Sequence, residues 1–484
     1  MAPKDQPAPD TAAAAPPSQA FARWAAEVDG AFPAEAMHRA KRALVDVIAC
    51  VAPGAVEDAT AIVRRVAADW GTGPCTAAGA AVGVPPTVAA LVNGTAAHAL
   101  DFDDNFDPAK AHITAVMAPA LLALGEARGL DGPDVLAAYI VGVQIATRVG
   151  QGLNPLHRNR GWHATATVGA VGAAAACGRL LRLDASRMRH CLNMSTSFAG
   201  GFMSQFGSMT KPLHAGKAAE AGVMCALLAE AGLTAGVETF DGPTGMGRLM
   251  VGPDLEAVRA AGAFTSEHGQ TLRFDSHAVG EPLAILQYGL KVKRFPTCAS
   301  THRALDAVLA LRARHGFAAD DVARVDVHAP VTHFNNLMYT DPVDGLQAKF
   351  SMEFCVAVAL RNGGVGLADF TPAAVADATF RALMPRVRRH PADKAESEFP
   401  TRVEIALKDG RVLSESVDAP KGRADNPLTD AELWDKLRQC CRGVLPEAAT
   451  ERLAAALDRL DGGGHIGDVM APLRQIDASR IAAN

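Results

Sequence analysis

Thr401–Val417 reads TRVEIALKDGRVLSESV, and its alternation sets this segment apart from most of the chain. Two runs of alternating apolar and polar residues flank Lys408-Asp409-Gly410. Asp-Gly between such runs is a strong hairpin signal, because glycine supplies the positive φ that a tight turn needs. Upstream, Val322–Ala329 (VARVDVHA) has the same two-residue period and predicts another strand. Helical stretches at Thr301–His315 and Ser351–Asn362 lie near or between these strands. Residues 273–424 are therefore expected to form a small α/β domain.

On both sides of that insert the period lengthens to that of a helix. In Pro33–Gly54, the residues Met37, Ala40, Leu44, Ile48 and Val51 recur at intervals of three and four, which puts them on one face. Pro33 suits a helix start and Gly54 a helix stop. Further helices are expected at Pro85–Asp101, Ala115–Arg128, Gly132–Gly150, Ala164–Leu181, Ala185–Ser197 and Lys217–Glu230. From Asp430 to Leu473 the amphipathic helical pattern returns. The expected fold class is mainly α, with residues 19–272 and 425–484 forming a helical domain interrupted by the α/β insert. No internal repeat is evident.

Composition narrows the function classes. The 484 residues are 49% hydrophobic and 20% charged, enough apolar surface for a large core. A net charge of -5 gives no electrostatic reason to expect nucleic acid or an anionic membrane as partner. The nine cysteines include no C-x-x-C pair, so they read as reduced core residues rather than metal ligands, and a cytoplasmic location is expected. Residues 1–18, MAPKDQPAPDTAAAAPPS, lack a continuous apolar run and are expected to be a disordered tail rather than a secretory signal. ATATVGAVGAAAACGRLL at 164–181 is Ala- and Gly-rich and reads as a closely packed internal helix rather than a membrane span.

Four polar clusters are hard to justify as packing. In the first, His98, Asp101, Asp103, Asp104 and Asp107 precede His112. This run reads as a helix-end cap or as a Mg²⁺ site, but the nearby histidines suit proton transfer better than a hard cation. In the second, His163 stands at a helix entrance, where the positive end of the dipole keeps an imidazole neutral. The third runs from Gly207 to Lys217. Ser208, Thr210, Lys211 and His214 offer hydroxyls and charge to an anion ahead of a helix, without the spacing of a P-loop. The fourth, Lys291–His302, joins basic residues to a Pro-led turn. The third and fourth, taken singly, read equally well as an ordinary polar loop or cap, and a lone histidine such as His163 is more often structural than catalytic.

Taken together the clusters resemble the MmgE/PrpD family, which includes 2-methylcitrate dehydratase, cis-aconitate decarboxylase and iminodisuccinate epimerase. The resemblance spans nearly the whole chain after the tail. It rests on NGTAAHALDFDDN (93–105), GWHATATVG (161–169), GSMTKPLHAGKAAEAG (207–222), KRFPTCASTH (293–302) and GLQAKFSMEFCVA (345–357). It implies a helical domain built from both ends of the chain, an inserted lid, an active site between them, a homodimer, and no metal or organic cofactor. By motif position it implies catalytic roles for Asp101, His112, His163, Lys211 and Lys293. The chain departs from the family pattern in places. Asn105 stands where Thr is common and Asp107 where His is frequent. Cys298 stands where animal cis-aconitate decarboxylases have His. Tyr339 aligns only loosely with a substrate-contacting Tyr. Asn105, Ser208, Thr210, His214, Cys298 and Tyr339 are expected to contact the substrate.

The family's reactions share one demand, a carbanion or enediolate formed beside a carboxylate, which needs positive groups placed in advance. Lys211, Lys293 and His163 are expected to bind carboxylates, His112 to act as general acid/base, and Asp101 to orient it, with the last two roles exchangeable. Dehydration of a 2-methylcitrate-like hydroxy acid ranks first among the reactions. Decarboxylation of a cis-aconitate-like acid ranks second and epimerisation third. A non-catalytic binding protein for such acids is the alternative of a different class.

Overall fold

The computed structural model describes residues 15–261, 268–394 and 399–477. Helices dominate, and the described strands form one four-stranded mixed sheet of order β2-β1-β3-β4. Here β1 is Val322–Pro330, β2 Val387–Ala392, β3 Thr401–Leu407 and β4 Val412–Val417. The β3–β4 hairpin turns through Gly410 at φ 90°, with the Leu407 amide donating to the Arg411 carbonyl at 2.8 Å. Alternation put β1, β3 and β4 within reach of sequence reading. β2 was not foreseen, because VRRHPA is polar and contains Pro391. It pairs parallel to β1 at the sheet edge, where a strand can tolerate a missing N–H.

Two apolar cores organise the chain. The larger takes residues from Phe21 to Val292 and again from Leu428 to Ile476; the smaller runs from Phe295 to Leu407. Each fully buried Phe or Leu in them contributes about 1.5–3 kcal/mol of burial free energy. The segment 273–292, expected in the insert, gives Phe274, Val279, Ala284, Ile285 and Val292 to the larger core. The chain loses helical regularity there without leaving that body, so the change of pattern marks a change of secondary structure only. The expected tail is also too long. A helix begins at Pro17, and buried Ser18 donates its hydroxyl to the Val237 carbonyl at 2.9 Å. Pro16-Pro17 looks like tail composition, but Pro17 occupies the first turn, where its missing N–H costs nothing. Residues 1–14 lie outside the described residues.

The larger body is built on close helix contacts. Nearly all of Ala164–Leu180 is buried. Pro86–Ala99 meets Thr210–Glu230 where Gly94 faces Gly216; a Cβ on Gly94 would lie 2.9 Å from the Gly216 Cα. That approach brings the end of the first helix beside the start of the second, which is where the chemistry-bearing residues stand. Thr210–Glu230 starts seven residues before the expected Lys217. Pro212 falls in its first turn, where proline is accommodated, so Lys211 and His214 are helical rather than in a preceding loop. Among the described residues, no helix is long and apolar enough to cross a membrane.

Candidate active site

The helix Pro86–Ala99 stops two residues short of its expected end, because Asp101 takes a left-handed backbone, φ 53°. The turn that follows is held by lysines from three separate segments. Lys349 Nζ donates to the Leu100 carbonyl at 3.0 Å, Lys293 Nζ to the Asp101 carbonyl, and Lys436 Nζ to the Phe102 carbonyl at 2.9 Å. All three are buried, at 5%, 4% and 6% exposure. Ammonium groups suit this place, since the last carbonyls of a helix are unsatisfied and carry partial negative charge. Lys436 is further paired with Asp46 at 2.6 Å and lies 3.7 Å from the Phe102 ring centre.

The Asp101 side chain lies between two more amine contacts. Lys211 Nζ is 2.6 Å from Oδ1 and Lys293 Nζ 3.1 Å from Oδ2. Burial works to raise the carboxyl's pKa, but the two ammonium groups outweigh it and hold the group well below the usual carboxylate range. Asp101 is therefore held as the carboxylate.

His112 sits immediately before the helix Ile113–Arg128 and makes no side-chain cap bond to it. Its Nδ1 is 3.0 Å from Asp103 Oδ2, while its Nε2 is 3.9 Å from Asp101 Oδ1. The nearer carboxylate is thus Asp103, though without hydrogen-bond alignment, and the expected Asp101 lies farther away. His98 Nδ1 lies 3.0 Å from the same Asp103 oxygen. Burial raises the Asp103 pKa, but the two imidazoles outweigh it and keep the group well below its ordinary value. His98, with its side chain fully buried, is pushed down to about 4, chiefly by burial, and is neutral. Sequence reading placed His98 and Asp103 in this cluster without selecting them; a five-residue spacing across a helix end does not show that they meet.

His163 and His214 face one another with their Nδ1 atoms 3.0 Å apart, so one donates and the other accepts. Burial lowers both pKa values, His163 strongly. The His163 ring stacks near His98 at 5.9 Å and meets Phe206 edge-on at 4.9 Å. Lys211 Nζ lies 5.4 Å from the centre of that Phe206 ring. Asp101, His112, His163, Lys211, Lys293 and His214 therefore share one site.

The other expected contacts are distributed around it. Cys298 is half-buried, and burial followed by the Asp101 charge raises its thiol pKa. It resides in the segment carrying Lys293, and its amide donates to the Lys349 carbonyl at 3.0 Å. Tyr339, from the smaller body, brings its hydroxyl to 3.7 Å from where a Cβ on Gly207 would stand. Thr210 begins the helix that carries Lys211. Ser208 is exposed and bonds within its own turn, donating to the Gln205 carbonyl at 2.8 Å. Asn105 is fixed by its backbone, which exchanges hydrogen bonds with Lys291 at 2.9 and 2.8 Å. Lys349 and Lys436 were not anticipated. The first lies inside a quoted motif, the second on what reads as the polar face of a C-terminal helix.

One group has donor atoms that could hold a metal ion. His98, Asp101, Asp103 and His112 offer ligand atoms within 4.8 Å of one another. Asp101 is already compensated by two amines, and Asp103 lies against two imidazoles, so a dication would have to displace existing partners.

A helical body, a small mixed-sheet body and a buried His/Asp/Lys centre are the features of this fold that bear on its class. Residues 19–257 match the MmgE/PrpD N-terminal domain and residues 295–461 the MmgE/PrpD C-terminal domain; the chain belongs to the MmgE/PrpD family. It is 29% identical to the cis-aconitate decarboxylase of Mus musculus over 399 residues, covering 78% of this chain and 76% of that protein. Against the Homo sapiens cis-aconitate decarboxylase it is 28% identical over 394 residues, covering 78% and 77%. Against that of Aspergillus terreus it is 26% identical over 457 residues, covering 88% and 90%.

Proposed function

We propose that the protein is a cofactor-free lyase for a small di- or tricarboxylic acid, and that its reaction is the decarboxylation of a cis-aconitate-like acid. The observation that carries the reading is the Lys211–Asp101–Lys293 arrangement beside His112. Lys211 and Lys293 both lie against the Asp101 carboxylate, and two ammonium groups at one carboxylate favour an anionic ligand. Relatives named cis-aconitate decarboxylase support decarboxylation within that class.

In this reading Lys211, Lys293 and His163 receive the substrate carboxylates. The bond between carbon and one carboxylate breaks and releases CO₂. Its electron pair spreads through the adjacent double bond into a second carboxylate, where the ammonium groups stabilise the developing charge. His112 then delivers a proton to carbon from Nε2, with Asp103 as the nearer carboxylate on its Nδ1 side. Asp101 spaces the two lysines. We further propose that the smaller body acts as a lid over this centre. We place the enzyme in the cytoplasm as a homodimer, on the strength of its free cysteines and its family resemblance. A monomeric mass by light scattering at micromolar concentration would contradict the dimer.

A second reading is dehydration of a 2-methylcitrate-like acid, favoured by Cys298 in place of the histidine expected of animal cis-aconitate decarboxylases. Proton NMR in D₂O, with cis-aconitate and 2-methylcitrate offered separately, distinguishes the outcomes. CO₂ release from cis-aconitate supports decarboxylation, a new vinyl signal from the hydroxy acid supports dehydration, and exchange without net change indicates an epimerase. Absence of all three across a panel of acids would leave a binding protein.

A further inference from the structure

The three carbonyls of Leu100, Asp101 and Phe102 are held from different sides of the molecule. Lys436 comes from the helix Asp430–Cys441, which packs in the larger core, and Lys293 from the segment joining the two cores. Lys349 ends the helix Gly345–Lys349 of the smaller body, whose neighbours Ala348 and Met352 belong to the smaller core. Its 3.0 Å bond to the Leu100 carbonyl therefore runs from one body to the other. The same residue's carbonyl accepts from the Cys298 amide at 3.0 Å, and its amine lies 5.9 Å from the Phe370 ring centre. Lys349 thus joins the Cys298 segment, the smaller core and the turn carrying Asp101.

A buried amine is a costly way to fill space; methionine has similar volume and no desolvation penalty. The charge makes sense where it holds a backbone in a conformation that the chain would not choose unaided. The Asp101 turn is such a place, because a non-glycine residue there stands at φ 53°. We propose that Lys349 is a positioning residue which makes seating of the smaller body a condition for the active geometry of Asp101. Closure of the two bodies and alignment of the Asp101 carboxylate with Lys211 and Lys293 are then one event. This rests on the acid–base reading of the site given above.

The test compares wild type with Lys349→Met and Lys349→Arg by hydrogen–deuterium exchange mass spectrometry and by steady-state kinetics with cis-aconitate. For Lys349→Met, exchange should rise in the peptide spanning residues 98–112 while the sheet of the smaller body keeps its protection. The kcat should fall roughly 10²-fold, the size expected of a misplaced catalytic group, with a smaller change in KM. Lys349→Arg, which keeps a charged donor, should recover part of both. If Lys349→Met does not fold, Lys349→Gln, which keeps the position polar but is shorter and uncharged, carries the same comparison. Unchanged exchange at 98–112 with kcat within about twofold of wild type overturns the proposal. So does a uniform rise of exchange over the whole smaller body, which marks a merely structural lysine. Failure of wild type to turn over any acid sinks the functional reading instead, while the exchange result still decides the role of Lys349.

Discussion

His112 Nδ1 lies 3.0 Å from Asp103 Oδ2 without an aligned hydrogen bond, and Asp103, rather than Asp101 at 3.9 Å from Nε2, is the nearer carboxylate. Asp101 is occupied by Lys211 and Lys293. The two acidic residues are two positions apart in sequence and meet different partners.

Replacing Asp103 with Asn should therefore lower kcat by roughly 10²–10⁴-fold, because the His112 ring loses its nearest carboxylate. His112→Asn should cost a similar factor. Asn is a good helix cap, but His112 makes no side-chain cap bond to Ile113–Arg128, so capping does not explain its presence. An Asp103→Asn enzyme with near wild-type kcat would return the orienting role to Asp101.

Lys211→Met should raise KM and lower kcat together, since the residue is proposed to bind both ground state and transition state. It also leaves buried Asp101 with Lys293 as its remaining close amine, and breaking one side of a buried ion pair costs about 3–5 kcal/mol. Thermal denaturation alongside kinetics separates the two losses. A variant with unchanged stability and unchanged KM would contradict both assignments.

Stability should fall as the pH drops from 7 towards 4. Burial pushes His157 and His302 down to about 3 and His98 to about 4, whereas an unfolded histidine titrates near 6.5. Between those values the unfolded chain binds protons that the fold refuses, so stability rises with pH through that window and is lost as pH falls through it. Each such histidine contributes at most about 1.4 kcal/mol per pH unit. Melting temperatures measured every half unit should show the slope, and His302→Gln should flatten it. A flat profile between pH 7 and 5 would refute the neutral buried histidines.

Activity should survive dialysis against EDTA. The His98/Asp101/Asp103/His112 group has the donor atoms for a cation, but amines and imidazoles already balance its carboxylates. Loss of turnover on chelation, restored by one divalent ion, would establish a metal role for that group.

Much of this protein was legible in its sequence because the relevant forces are local. Alternation around Asp409-Gly410 specifies the β3–β4 hairpin, and the helical period specifies Ala34–Gly54 and Ala164–Leu180. The motifs around Asp101, His112, His163, Lys211 and Lys293 were likewise readable as short runs of residue types. Tertiary structure decided which of those groups meet. Asp103 becomes the partner of His112 because Asp101 turns into a left-handed backbone and faces the lysines. Lys436 looks like a solvated helix residue, yet packing against Asp46 and Phe102 buries it, and Lys349 reaches Leu100 across 249 positions of sequence. No periodicity records such contacts, because a buried amine is set by what surrounds it in space, and the cost of its desolvation is met by carbonyls and carboxylates from distant parts of the chain.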